Sequence, residues 1–107
     1  MSTAETLDAP HELASLAAYQ SGSIVSHALL KDEGGTVIAF AFDAGEGLTE
    51  HTSPCAVLLY AIEGRATVTV AGVVHDVGAG GIMRLPASVP HSVRADERFK
   101  MLLIMIR

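Results

Sequence analysis

The residues best equipped for chemistry in this chain are its five histidines and its one cysteine. A neutral imidazole lends a ring nitrogen to a metal ion or takes a proton as a general base, and a thiolate is a soft metal donor. Three of these groups are His51, Cys55 and His91, with the Ser53 hydroxyl between the first two. Side chains alternate along an extended chain, so His51 and Ser53 share one face. Cys55 follows Pro54, where a turn leaves its direction open. A set of His51, His91 and Cys55 suits zinc, nickel or copper better than iron or manganese, which prefer carboxylate in the coordination shell. The plainer reading of Cys55 is a small apolar side chain packed in a core. Met83, Met101 and Met105 divide between a thioether copper site and flexible core filling, with core the favoured reading. His75, set between valines beside Asp76, reads as a solvent-side strand residue, and His11 and His27 as surface or cap residues. Arg84 and Arg94 either meet a carboxylate ligand or face water.

Holding these groups in place requires strands. From residue 23 onward, short runs rich in Val, Ile, Leu, Thr and Phe are separated by glycine or proline clusters, the pattern of an all-β domain. The runs predict strands near 23–30, 36–42, 48–53, 56–63, 66–71, 73–77, 81–86, 91–95 and 99–106. Residues 1–22 read as a leader and a short helical segment, with Asp8 as cap and Pro10 in the first turn ahead of 11–16. Residues 23–107 read as one barrel domain. The runs at 36–42, 56–62 and 101–106 are apolar on both faces, so both faces must be covered. A barrel interior covers one. A second sheet, the N-terminal segment or a second subunit must cover the other, which makes a homodimer the expected assembly.

Composition narrows the classes of partner. Half of the 107 residues are apolar, enough for one core. A formal charge of −5, with seven basic residues scattered along the chain, disfavours nucleic acid. The longest uncharged apolar run, 56–62, is too short to cross a bilayer, and the first ten residues show no secretory pattern, so a cytoplasmic protein without membrane contact is expected. A single cysteine excludes an internal disulfide.

Two spacings in the middle of the chain carry a resemblance. Gly45, five residues, His51, Thr52, Ser53, three residues, Val57, six residues and Gly64 form the first. Gly80, five residues, Pro86, Ala87, Ser88, two residues, His91, three residues and Ala95 form the second. Together they resemble the two consensus motifs of the cupin superfamily, and the chain is similar to its short single-domain, RmlC-like members. The resemblance implies a double-stranded β-helix, or jelly-roll barrel, often dimeric through N-terminal strands. It also implies that His51 and His91 lie together inside the barrel. In metal-dependent cupins two histidines and a glutamate of the first motif join the histidine of the second on one divalent ion. Here Ser53 stands at the second histidine and Val57 at the glutamate, so the usual site cannot form.

Three functions follow as expectations. The first is a binding or sensing module whose pocket, lined by His51, Ser53, Val57 and His91, takes a small molecule with or without a divalent metal on His51 and His91. The second is an enzyme, an oxygenase-like metal cupin or a metal-free isomerase using His51 or His91 as base. The matched glutamate is Val57, so no carboxylate orients such a base. The third is a structural or partner-binding domain in which both histidines are remnants.

Overall fold

The computed structural model describes residues 7–107; the first six positions of the expected leader lie outside the described residues. Nine strands appear where the apolar runs place them. They are β1 (Ile24–Asp32), β2 (Gly35–Phe42), β3 (Gly47–His51), β4 (Ala56–Glu63), β5 (Arg65–Val70), β6 (Val73–Gly78), β7 (Ile82–Leu85), β8 (His91–Ala95) and β9 (Phe99–Ile106). They form two antiparallel sheets, one of order β1-β2-β9-β4-β7 and one of order β3-β8-β5-β6. The chain is all-β, as expected.

Alternation sorts the two-faced strands. Residues paired across β2, β9, β4 and β7 point one way in rows: Thr36, Met105, Val57 and Leu85; then Ile38, Leu103, Leu59 and Met83. Farther along, Phe40, Met101 and Ala61 form a third row, and Phe42 with Phe99 the last. These rows meet Val68, Val93, Ala66 and Ala95 of the second sheet in one interior cluster. Met101 is fully buried, and Met83 and Met105 pack against the same cluster, so these three methionines are core residues. Tight turns hold the register. The β5–β6 hairpin turns on Ala71 (φ 50°) and Gly72 (φ 79°), both left-handed as a two-residue hairpin requires. Gly47 opens β3 because a side chain there would collide with the Val93 carbonyl of β8.

The N-terminal segment differs from its expectation. In place of a helix over 11–16 there is a single 3-10 turn, Leu13–Ser15, whose N-cap Glu12 makes no side-chain cap. So short a segment does not sustain an isolated helix, and its apolar residues are taken by the sheet instead. Leu16 and Ala17 bury against Leu29, Ala39 and Ala41 on the outer face of β1 and β2. Tyr19 lies beneath Lys100 and Arg98, 4.7 and 5.0 Å from its ring centre, and its hydroxyl donates to Glu63 at 2.6 Å. Lys100 Nζ donates to the Ala14 carbonyl at 2.6 Å. The segment is therefore a strap that covers part of the second apolar face. The row Leu30, Val37, Ile104 and Leu58 continues beyond it, with Leu30 60% exposed.

Candidate ligand and metal site at the barrel mouth

One end of the barrel gathers the chain's chemistry. The loop from β7 to β8 runs from Leu85 to His91, and the loop from β3 to β4 runs from His51 to Ala56. The Ser88 N–H donates to the Ser53 carbonyl at 2.7 Å and ties the two loops together. This end therefore holds the row Thr36, Met105, Val57 and Leu85 on one sheet, and His51, His91 and Val70 on the other.

His51 and His91 are cross-strand partners. Simple alternation would not bring this about, because Leu48 faces the core and His51 lies three residues on. Leu48 pairs with Val93 and His51 with His91, so β3 spends three steps where β8 spends two. A bulge absorbs the extra residue and turns His51 back to the face of Leu48. Within that bulge the Thr49 carbonyl lies 2.7 Å from His51 Nδ1. His91 Nδ1 is held in the same way, 3.2 Å from the Val89 carbonyl.

Those two contacts fix the chemistry of the rings. A carbonyl only accepts, so each Nδ1 carries the proton and each Nε2 keeps a bare lone pair. The two Nε2 atoms lie 3.1 Å apart, with the rings nearly perpendicular at 72°. Two lone pairs at that distance need a proton or a cation between them. A proton between them makes an ordinary hydrogen bond at this distance, and a divalent ion, if bound, would be held by the same two nitrogens. Two imidazoles would supply only part of the coordination shell of such an ion, since no third donor groups with them among the described residues. His51 is exposed at the rim, whereas His91 is only 4% exposed. Burial, followed by the neighbouring His51 charge, holds the His91 imidazole below its ordinary pKa, while the Val89 carbonyl acts in the opposite sense.

The remaining candidates lie around the pair without joining it. Val57 is 3% exposed and forms part of the inner wall. The Ser53 hydroxyl accepts the Cys55 N–H at 3.1 Å, closing the turn at Pro54, and Cys55 is half-buried. Among the described residues no cysteine, aspartate, glutamate or third histidine groups with the two imidazoles at metal-binding range. Cys55 is thus held by a local turn and the Ser53 oxygen is turned to that turn's backbone. Arg84 pairs across strands with Leu58 and Arg94 with Thr67, on the outer faces. His11, His27 and His75 are exposed. Neither His51 nor His91 is backed by a carboxylate; a backbone carbonyl orients each.

With this geometry in hand the comparisons become informative. The family model described as "Cupin domain" matches residues 39–107. The chain is a cupin. A cupin superfamily protein from Desulfitobacterium hafniense is 27% identical, with 92% of this chain and 91% of that one covered at a TM-score of 0.88. A conserved protein of unknown function from Streptococcus pyogenes matches with the same TM-score at 24% identity, over 92% of this chain and 87% of that one. A Cupin 2 conserved barrel domain protein from Leptotrichia buccalis is 36% identical over 88% of this cupin, which spans 46% of that chain, with a TM-score of 0.85. No curated protein matches the chain. Among the described residues no helix is long and apolar enough to cross a membrane.

Proposed function

We propose that this cupin is a binding module that holds one divalent ion, zinc, nickel or copper, between His51 and His91 and takes a small molecule at the same mouth. The observation that carries the reading is the 3.1 Å approach of two Nε2 atoms whose Nδ1 partners are already engaged. Only two protein ligands means open coordination positions, and open positions are where a ligand enters. The wall beside them, Val57, Leu85 and Met105, is apolar, as small-molecule pockets are. Orientation of the imidazoles by carbonyls rather than carboxylates favours ligation over general-base catalysis.

Metal analysis of untagged protein and zinc titration calorimetry test the reading. One zinc per chain is expected, lost in both His51→Ala and His91→Ala. The exposed His51→Ala should cost less than about 0.5 kcal/mol of stability, as substitutions away from the core do. Ser53→His with Val57→Glu should tighten zinc binding by orders of magnitude. Wild-type protein that holds no zinc would end the metal reading.

The reading places the protein in the cytoplasm as a homodimer. Leu30, Ile82 and Ile106 are 60%, 62% and 57% exposed on the outer face that the strap leaves partly open, which a second copy would cover. Light scattering should give twice the 11.2 kDa chain mass at micromolar concentration. A stable monomer would contradict it.

A further inference from the structure

The barrel strands are joined to one another by ladders of backbone pairing, whereas the strap over residues 13–22 is joined to them through side chains. The strap's own backbone bonds are local. The Ser15 N–H donates to the Glu12 carbonyl at 3.0 Å, Leu16 to Leu13 at 3.3 Å, and Ser23 closes the last turn on Gln20 at 3.1 Å. Among the described residues, each hydrogen bond from 13–22 to the barrel has a side chain on one side: Lys100 to the Ala14 carbonyl, Tyr19 to Glu63, and the Gly22 N–H to Asp43 at 2.7 Å. Within the strap only Leu16 and Ala17 are buried. So few buried contacts and so little shared backbone bonding mark a segment that opens at lower cost than the barrel.

Tyr19 concentrates what holds the strap down. Its ring lies within cation–π range of both Arg98 and Lys100, and its hydroxyl donates to Glu63, whose carboxylate is also 4.0 Å from Lys100 Nζ. Arg98 in turn pairs with Asp43 at 3.0 Å, and the same carboxylate takes the Gly22 N–H. Gly22 has φ 68°, and a side chain there would meet nothing within 4 Å, so the chain has open space in which to pivot. These contacts gather at the phenylalanine end of the barrel, since Asp43 follows Phe42 and Arg98 and Lys100 flank Phe99.

From this geometry we infer that residues 13–22 form a hinged cover, latched by Tyr19 and pivoting at Gly22, which opens as a unit while the barrel stays folded. Opening bares Leu29, Ala39 and Ala41, which then join the exposed Leu30 on the outer face. The strap thereby gives that face two sizes. Its latch lies at the opposite end of the barrel from His51 and His91, and its movement needs no ion there.

Single thiols introduced in a Cys55→Ser background test this through their rate of maleimide labelling, read by mass spectrometry where labelling is slower than reclosing. Ala17→Cys reports the strap, Ala41→Cys the face beneath it and Val68→Cys the barrel interior, all three being buried positions. Ala17→Cys and Ala41→Cys are expected to label at least about a hundredfold faster than Val68→Cys. Low urea should speed chiefly Val68→Cys, because strap opening exposes little surface. Should Ala41→Cys fail to fold, Leu29→Cys reports the same face with a smaller side chain. Tyr19→Ala should raise labelling of the strap thiol by about tenfold or more. Tyr19→Phe keeps the ring beneath the two cations and loses only the Glu63 bond, so its effect should be smaller. Labelling of all three thiols at one rate, with one urea dependence, would overturn the inference, since the strap would then open only with the barrel. An unchanged strap rate in Tyr19→Ala would overturn the assignment of Tyr19 as the latch.

Discussion

The two ends of the barrel use the same strands to opposite purposes. At one end Phe42, Phe99, Ala61, Ala66, Ala95 and Met101 are all completely buried. The three alanines leave room for two phenylalanine rings, 5.9 Å apart between centres, which fill the space between the sheets. At the other end the interior row gives way to Met105, the His51–His91 pair and two tied loops, with His51 open to water. The interior of the sealed end is lined by apolar side chains and contributes packing. The open end gives up packing and contributes lone pairs. Stability and chemistry are thereby separated along one axis, and changes at each end should be read out by different measurements.

The largest expected effect lies at the sealed end. Phe99→Ala removes a fully buried ring from a close-packed plug and should cost about 3–5 kcal/mol. The remaining folded fraction should bind zinc as wild type does. Denaturant unfolding paired with zinc titration checks both halves. Comparable loss of zinc affinity would show that the two ends are coupled rather than separate.

How much of this was legible beforehand differs between the ends in the same way. Apolar runs and glycine punctuation mark the nine strands, and 36–42, 56–62 and 101–106 are apolar on both faces although the outer face is only partly covered. The pairing of His51 with His91 was legible only through the motif spacing. Alternation alone misplaces His51 relative to Leu48, since the bulge that restores its phase carries no residue signature in Thr49 and Glu50. The carbonyls that set both ring tautomers are backbone groups and leave no trace in side-chain identity. The helix expected over 11–16 rested on Asp8 and Pro10 as local signals, and burial of Leu16 and Ala17 on the sheet overrode them. No local sequence signal marks Tyr19. Its place between Glu63, Arg98 and Lys100 depends on contacts 44 or more positions away in sequence, which periodicity does not report.

A smaller effect sharpens the contrast through pH. The buried His91 has its pKa lowered in the folded chain, chiefly by desolvation. Unfolding therefore takes up a proton when the pH lies between the folded value and the ordinary value of about 6.5. Stability should be full above about pH 6.5 and fall as pH drops below it, levelling once the folded-state imidazole is also protonated. His91→Gln should flatten that part of the stability curve, whereas Phe99→Ala should lower the whole curve without changing its slope there. Urea midpoints measured from pH 5 to 8 distinguish them. An unchanged slope in His91→Gln would assign the acid sensitivity to other groups.

The smallest expected effect concerns a residue that strains the open end. Ser88, in the second motif spacing, has φ 62°, in the left-handed region that disfavours a side chain. Its N–H nonetheless makes the 2.7 Å bond to the Ser53 carbonyl that holds the two mouth loops together. Ser88→Gly keeps that donor and removes the steric cost, while adding freedom to the unfolded chain, so the two effects partly offset. The net gain should be about 0.5–1 kcal/mol, with the sign set by the positive φ. If the bond to Ser53 is what positions His91, zinc affinity should be unchanged in Ser88→Gly. Ser88→Pro removes the donor and cannot adopt the angle, so it should weaken both stability and zinc binding. A Ser88→Gly protein that is more stable but binds zinc poorly would mean that the strained backbone, and not the loop-to-loop bond, sets the direction of the His91 ring.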